Sequence, residues 1–353
     1  MPALRSVLDK LNPWHQKDEP PPPPPITIQT ASILVVVYAL IYFLPFYLSR
    51  TTRPSPTLSR DAPSVIRARI TSVSVSCVVC CVATYLVLIR TSTTQLSPHD
   101  ILHLMGVWPV AVADSFRVLF LTALLFLGPL FSYFVVEGGW RDWADGLQPL
   151  REVWSEWTAW RNMVAGPITE EILYRSTSIP LMIAAQTPIT RTIYLVPFIF
   201  GLSHVHHFYE FRLTNPQVPV TVALLRSVFQ LGYTTLFGAY ATFAFVRTGS
   251  LLAVCAVHAF CNCMGLPQLW GRVQPPPPPS VISDPITRRP DPTKARGATG
   301  GATTPARKAS LLWTVSYYSL LIVGAVLWWR NLWVLTDTAN ALVPTSAFFS
   351  SSY

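Results

Sequence analysis

The chain has 353 residues, of which 51% are hydrophobic and only 12% charged, with a net charge of +9. A soluble domain usually carries about 25% charged residues, so this composition excludes an ordinary globular enzyme and points to an all-α polytopic membrane protein. No stretch interleaves basic and aromatic residues as a nucleic-acid groove does. No nucleic-acid partner is therefore expected, and the positive charge bears on loops and topology.

Residues 1–30 read as a polar arm ending in six consecutive prolines, Pro20 to Pro25, an extended spacer. Polar residues precede the first apolar run, so that run is expected to act as its own signal-anchor. A bilayer crossing takes about 20 apolar residues. Runs of that kind lie near 31–49, 70–89, 117–136, 163–185, 192–208, 220–246, 249–268 and 310–334, which predicts about eight transmembrane helices. Pro180 and Pro197 interrupt the fourth and fifth, as membrane helices tolerate where neighbours satisfy the freed backbone. The five tryptophans Trp140, Trp143, Trp154, Trp157 and Trp160 suit a helix lying in the headgroup region. Residues 31–270 thus read as the transmembrane domain, 271–309 as a disordered proline-rich and basic connector, and 310–353 as the last helix and tail. All six cysteines lie in apolar stretches, where they act as small buried hydrophobes rather than disulfides. The Cys77, Cys80, Cys81 spacing is zinc-like but has no second half elsewhere.

Charge orients the chain. Between the first two spans lie Arg50, Arg53, Arg60, Arg67 and Arg69 against Asp61 alone; Arg272, Arg288, Arg289, Lys294, Arg296, Arg307 and Lys308 follow the seventh against Asp284 and Asp291. An even number of crossings separates these loops, so they share a side, and the positive-inside rule makes that side cytosolic.

The stretch Arg161–Arg175 holds two adjacent carboxylates at the mouth of an apolar segment. Gly166-Pro167 predicts a helix start, since proline's missing N–H costs nothing in a first turn. Glu171 and Arg175 are then i,i+4 partners, while Glu170, rotated by about 100°, is free for other work. Ionisable residues inside a membrane segment point to function. His204 ends the fifth span after Phe200-Gly-Leu-Ser, with His206 and His207 just beyond; His258 and Asn262 share one face of the seventh. The predicted topology places Glu170, His204, His258 and Asn262 at comparable depth in the cytosolic half. A carboxylate with an imidazole can hold a water and remove its proton. A second imidazole and an amide can donate to an oxyanion. Two histidines and a glutamate are also zinc ligands, but no His-Glu-x-x-His is present. A transporter pathway or a non-catalytic membrane scaffold are the other readings, although the polar groups cluster near one face and no repeat halves are visible.

Glu170-Glu-x-x-x-Arg175, Phe200-x-x-x-His204 and His258-x-x-x-Asn262, in that order, resemble the three motifs of the type II CAAX endopeptidases, glutamate-type intramembrane proteases. The similarity covers roughly residues 100–270, and no motif position departs from the pattern. The resemblance implies an all-helical, multi-pass endopeptidase of the endoplasmic reticulum membrane. Its cavity would open to the cytosol, and it would remove the last three residues of prenylated CAAX proteins such as Ras-like GTPases. It implies that Glu170 and His204 activate water, that His258 and Asn262 stabilise the oxyanion, and that Glu171 with Arg175 braces the site. It implies no metal and no cofactor. Phe200 either packs or lines the path of the prenyl chain; Arg226 either snorkels or meets the substrate carboxylate.

Overall fold

The computed structural model describes residues 24–91, 96–274 and 311–349. Most of the proline arm and of the 271–309 connector lies outside these residues. Among the described residues the chain is all helical, without a strand. Helix α1 spans Ile28–Phe43 and opens on Thr27, whose hydroxyl accepts from the Thr30 N–H at 3.1 Å. Helix α2 spans Pro63–Thr91 and α3 Val112–Leu125. Helix α4 runs through five abutting segments, Trp157–Trp160, Arg161–Ala165, Gly166–Glu171, Ile172–Thr177 and Ser178–Ala184. Helices α5 (Ile189–Ser203), α6 (His206–Thr214), α7 (Val220–Thr248), α8 (Leu251–Met264) and α9 (Leu311–Leu335) complete the set.

Among the described residues, four helical stretches are long and apolar enough to cross a membrane: Ile28–Leu48, Pro63–Thr91, Val220–Thr248 and Leu311–Leu335. Val112–Leu125 with Leu127–Val136 adds a fifth if the pair, bent by 80°, is one span. The predicted fifth and seventh spans are helical but hold only 15 and 14 residues, about 22 Å at 1.5 Å per residue. The hydrocarbon core is about 30 Å thick. The tryptophan-rich segment is not one helix. It breaks into Trp140–Ala144, Gln148–Ser155 and the start of α4, because Gly146 and Leu147 take positive φ values of 66° and 57°.

The chain divides into two compact units. The larger comprises residues up to Leu121, Glu152–Cys263 and Leu332 onward. In it α4 lies between neighbours, packed against α1, α2 and α5, while α5 packs most extensively against α7. Residues 173–182 of α4 are all buried. Polar side chains fasten the helices where water is absent. Ser76 donates to the Ile41 carbonyl at 2.9 Å, Cys77 to that of Thr169 at 3.3 Å and Thr84 to that of Thr177 at 3.3 Å. The opposite face of α2 leaves Val75, Val78, Val82, Leu86 and Ile89 exposed, an apolar stripe suited to lipid and not to water. All six cysteines are free thiols, with Cys77 and Cys80 buried. After α9 the tail returns to the end of α7, where Arg247 binds Asp337, the Trp333 carbonyl and the Thr345 hydroxyl. The smaller unit, Thr122–Arg151 and Met264–Asn331, has its own small core of Val136, Val273 and Tyr317.

The α5–α7 contact depends on small residues. A Cβ added to Gly238 would lie 2.8 Å from Pro197 Cβ, 3.2 Å from Arg175 Nη2 and 3.3 Å from Phe200 Cδ1. Gly238→Ala should therefore destabilise the protein by about 1–3 kcal/mol, read as a lower Tm in detergent. Gly232→Ala on the same helix, with nothing within 4 Å, should leave Tm unchanged or raise it. Equal behaviour of the two variants would contradict this packing.

Candidate active site

The site begins with the backbone of α4. Residues Arg161–Ala165 and Ile172–Thr177 form wide π turns on either side of Gly166–Glu171, a distortion concentrated at functional sites. In an α-helix the Gly166 N–H would bond to Asn162; here it donates to Arg161. Pro167 has no N–H to give. The Asn162 carbonyl is thereby left for a side chain, and Asn262 Nδ2 donates to it at 2.8 Å. Gly166 is required because a Cβ there would stand 2.9 Å from the Arg161 carbonyl oxygen. The predicted helix start at Gly166-Pro167 is corrected accordingly. Ala165 is already helical (φ −67°, ψ −45°), and the wide turn, not a helix end, accommodates the proline.

The two glutamates part as the rotation between them predicts. Glu171 is fully buried, and its Oε1 accepts from Arg175 Nη1 at 3.1 Å and from His258 Nδ1 at 2.7 Å. Arg175, equally buried, donates through Nη2 to the Gly238 carbonyl at 3.1 Å. Its guanidinium lies over the rings of Phe200 and Phe237, at 5.1 and 5.9 Å. Glu171 thus ties α4 to α8, and Arg175 ties it to α7. Glu170 points elsewhere, 23% exposed, with Oε2 3.8 Å from His258 Nε2.

His204 caps the C-terminus of α5. Its Nδ1 lies 2.9 Å from the Phe200 carbonyl oxygen. A carbonyl only accepts, so Nδ1 carries the hydrogen and Nε2 keeps a lone pair. Phe200 sets the ring edge-on at 4.8 Å.

Glu170, His204, Asn262 and Phe200 line one cavity of about 190 Å³, far more than a single water needs. His258 does not line it, but its Nε2 lies 3.8 Å from Oε2 of Glu170, which does. Arg226 is not at the cavity either; its guanidinium stacks 4.5 Å over Phe211. Phe200 packs on Tyr174 at 4.9 Å and lines the cavity wall. Sequence reasoning missed Tyr42, Asn162, Arg60, Arg69 and Arg161, which also line the cavity. Tyr42 shares a hydrogen bond of 2.8 Å with Thr169. The arginines carried only a topological signal, and Arg161-Asn162 opened the motif stretch without being singled out.

Around the rim, Arg69 Nη2 meets Glu210 at 2.8 Å and Arg161 Nη1 meets Asp61 at 2.7 Å. Burial alone would push the Glu210 carboxyl up. The hydrogen bond from His207 and the charges of Arg69 and Arg60 outweigh it and hold that carboxyl well below the usual range. Among the described residues no three His, Cys, Asp or Glu side chains are grouped to hold a metal ion.

Comparison with known proteins agrees with the motif order. The family profile described as "Type II CAAX prenyl endopeptidase Rce1-like" matches residues 152–264, which include every group described around Glu171. The "Probable CAAX prenyl protease 2" of Schizosaccharomyces pombe is 35% identical over 67% of this chain and 81% of its own length. The "CAAX prenyl protease 2" of Arabidopsis thaliana is 30% identical over 69% and 82%. That of Homo sapiens is 34% identical over 62% and 67%. No solved structure matches the chain significantly. The expectation of a CAAX endopeptidase is borne out: the chain belongs to the type II CAAX prenyl endopeptidase family.

Proposed function

We propose that this protein hydrolyses the peptide bond after the prenylated cysteine of CAAX proteins, Ras-like GTPases among them, and releases the last three residues. The carrying observation is that Glu170, His204 and Asn262 converge on one cavity beside an internal Glu171–Arg175–His258 network. A water between Glu170 and the free Nε2 of His204 loses its proton to that pair as its oxygen attacks the scissile carbonyl carbon. Negative charge then builds on the carbonyl oxygen, with Asn262 Nδ2 in the cavity wall as donor and His258 Nε2, set back from the lining beside Glu170, as the second. His258 donates its Nδ1 hydrogen in a bond to Glu171, so donation from Nε2 requires the ring to carry both protons. Collapse breaks the C–N bond, and the proton held by Glu170 and His204 passes to the leaving amine.

Phe43, Phe46 and Ile70 line the same cavity and offer an apolar wall to a prenyl chain. Each buried CH₂ contributes about 0.8 kcal/mol, so the lipid supplies much of the binding. The loop between α1 and α2 contributes Arg60 to the cavity, and the first turns of α2 contribute Arg69. With that loop cytosolic, the site opens to the cytosolic side of the endoplasmic reticulum membrane. Eight crossings require the short α5 and α8 to sit where other helices shield their ends. Residues 31–270 then form the catalytic domain, with the arm and the 271–309 connector outside it.

The test is an assay of a matched pair of CAAX peptides, prenylated and not, with and without a strong chelator. The prenylated peptide should be cleaved at least about 10²-fold faster in kcat/KM, equally well with chelator present. Inhibition by chelator with recovery on added zinc would show metal-bound hydroxide chemistry instead.

A further inference from the structure

We propose that Arg161 and Arg60 form the subsite that binds the C-terminal carboxylate of the substrate. This rests on the tripeptide-releasing activity proposed above. The tripeptide carries a full negative charge, and a carboxylate leaving water for a half-enclosed cavity requires a cation with hydrogen bonds. Arg226 does not serve, being stacked on Phe211 away from the cavity. Three other guanidiniums line the wall. Arg69 is committed, donating twice to the Thr52 carbonyl at 3.0 and 2.8 Å and once to Glu210. Arg60 is loosely held, 3.4 Å from Glu210 and 3.8 Å from Asp61, and its side chain is 41% exposed. Arg161 is anchored through Nη1 to Asp61 and through Nε to Asn162 Oδ1 at 2.9 Å. These bonds leave its Nη2 edge for a ligand.

Charge and length both fit. Among the described residues, Arg60, Arg69 and Arg161 form ion pairs with Asp61 and Glu210, three cations to two carboxylates at this end of the cavity, while the other lining carboxylate, Glu170, lies against His258 and pairs with no arginine. The imidazoles of His206 and His207 are engaged with the Ser203 carbonyl and Glu210. Arg161 precedes Glu170 by nine residues on α4, at most about 13 Å along the axis at the α-helical rise, and both side chains line the cavity. An extended tripeptide spans about 10 Å, and a hydrogen bond adds about 3 Å. A scissile carbonyl at Glu170 thus places the chain terminus at Arg161. The subsite acts as a ruler that sets cleavage three residues from the end.

The experiment compares two prenylated CAAX peptides that differ only in ending as a free acid or a carboxamide, cleaved by the purified full-length protein. Wild type should prefer the acid by at least about 10-fold in kcat/KM, chiefly through KM. Arg60→Gln and Arg161→Gln should each weaken cleavage of the acid and bring the ratio toward one, while Arg60→Lys keeps part of the preference. Equal cleavage of acid and amide by wild type overturns the subsite while leaving the endopeptidase reading intact, and needs no variant to fold. A variant that slows both peptides alike with the ratio unchanged also overturns it. If wild type releases nothing from the acid, the endopeptidase reading fails and the subsite falls with it.

Discussion

Glu170→Ala should lower turnover of a prenylated CAAX peptide by about 10²- to 10⁴-fold, and His204→Ala by a similar factor, the range for removing a positioned general base. The two should not add. Groups that act on one water as a unit lose most of their effect when either is removed, so the double variant should be scarcely slower than the worse single one. Folding should be little affected, because Glu170 is partly exposed to the cavity and its nearest charged partner is 3.8 Å away. The His204 ring hydrogen-bonds to its own helix through the Phe200 carbonyl and otherwise meets the rings of Phe200 and His207. Single-turnover rates on detergent-purified protein, with a melting curve for each variant, check this. Near-full activity in either single variant would remove that residue from the water-activating pair.

Arg175→Met should do something different, namely unfold the centre of the molecule. Arg175 and Glu171 are both at 0% exposure. Removing the cation leaves a carboxylate buried beside His258 alone, a change that costs about 3–5 kcal/mol in comparable buried pairs. Replacing both partners by neutral groups should be far milder. Glu171→Gln with Arg175→Met is therefore expected to recover most of the lost Tm. Activity should not return, because His258 loses the carboxylate that holds its Nδ1 hydrogen. A double variant as unstable as Arg175→Met would show that the arginine acts through its stacking on Phe200 and Phe237 and not through charge.

Local spacing made part of this site legible. The Glu171–Arg175 pair and the separate direction of Glu170 follow from helical rotation alone, and both are seen. The partnership of Glu171 with His258 was not legible, because 87 residues separate them and only the packing of the helices brings them together. The π turns around Gly166–Glu171 leave no composition signal. Gly166-Pro167 reads as a helix start, while a wide turn inside a longer helix satisfies the same residues. Hydropathy found every long apolar helix but overstated α8, which stops at Met264 before Gly265 at φ +65°. The arginines suffered from a different ambiguity. Arg60, in a loop, and Arg69, on the first turns of α2, orient a membrane chain whether or not they also line a cavity, and charge counting cannot separate the two roles. Arg226, open from the sequence to snorkelling or to meeting the substrate carboxylate, stacks on Phe211 instead.

Everything here turns on water attacking the bond three residues from the end of a prenylated chain at Glu170. The direct measurement is mass spectrometry of products from a prenylated CAAX peptide incubated with the purified protein in ¹⁸O-water. The account predicts one intact tripeptide without label and one heavy oxygen in the new carboxylate of the prenylated cysteine, both absent with Glu170→Ala. Release of single residues, cleavage at another bond, or the same products from Glu170→Ala would contradict it.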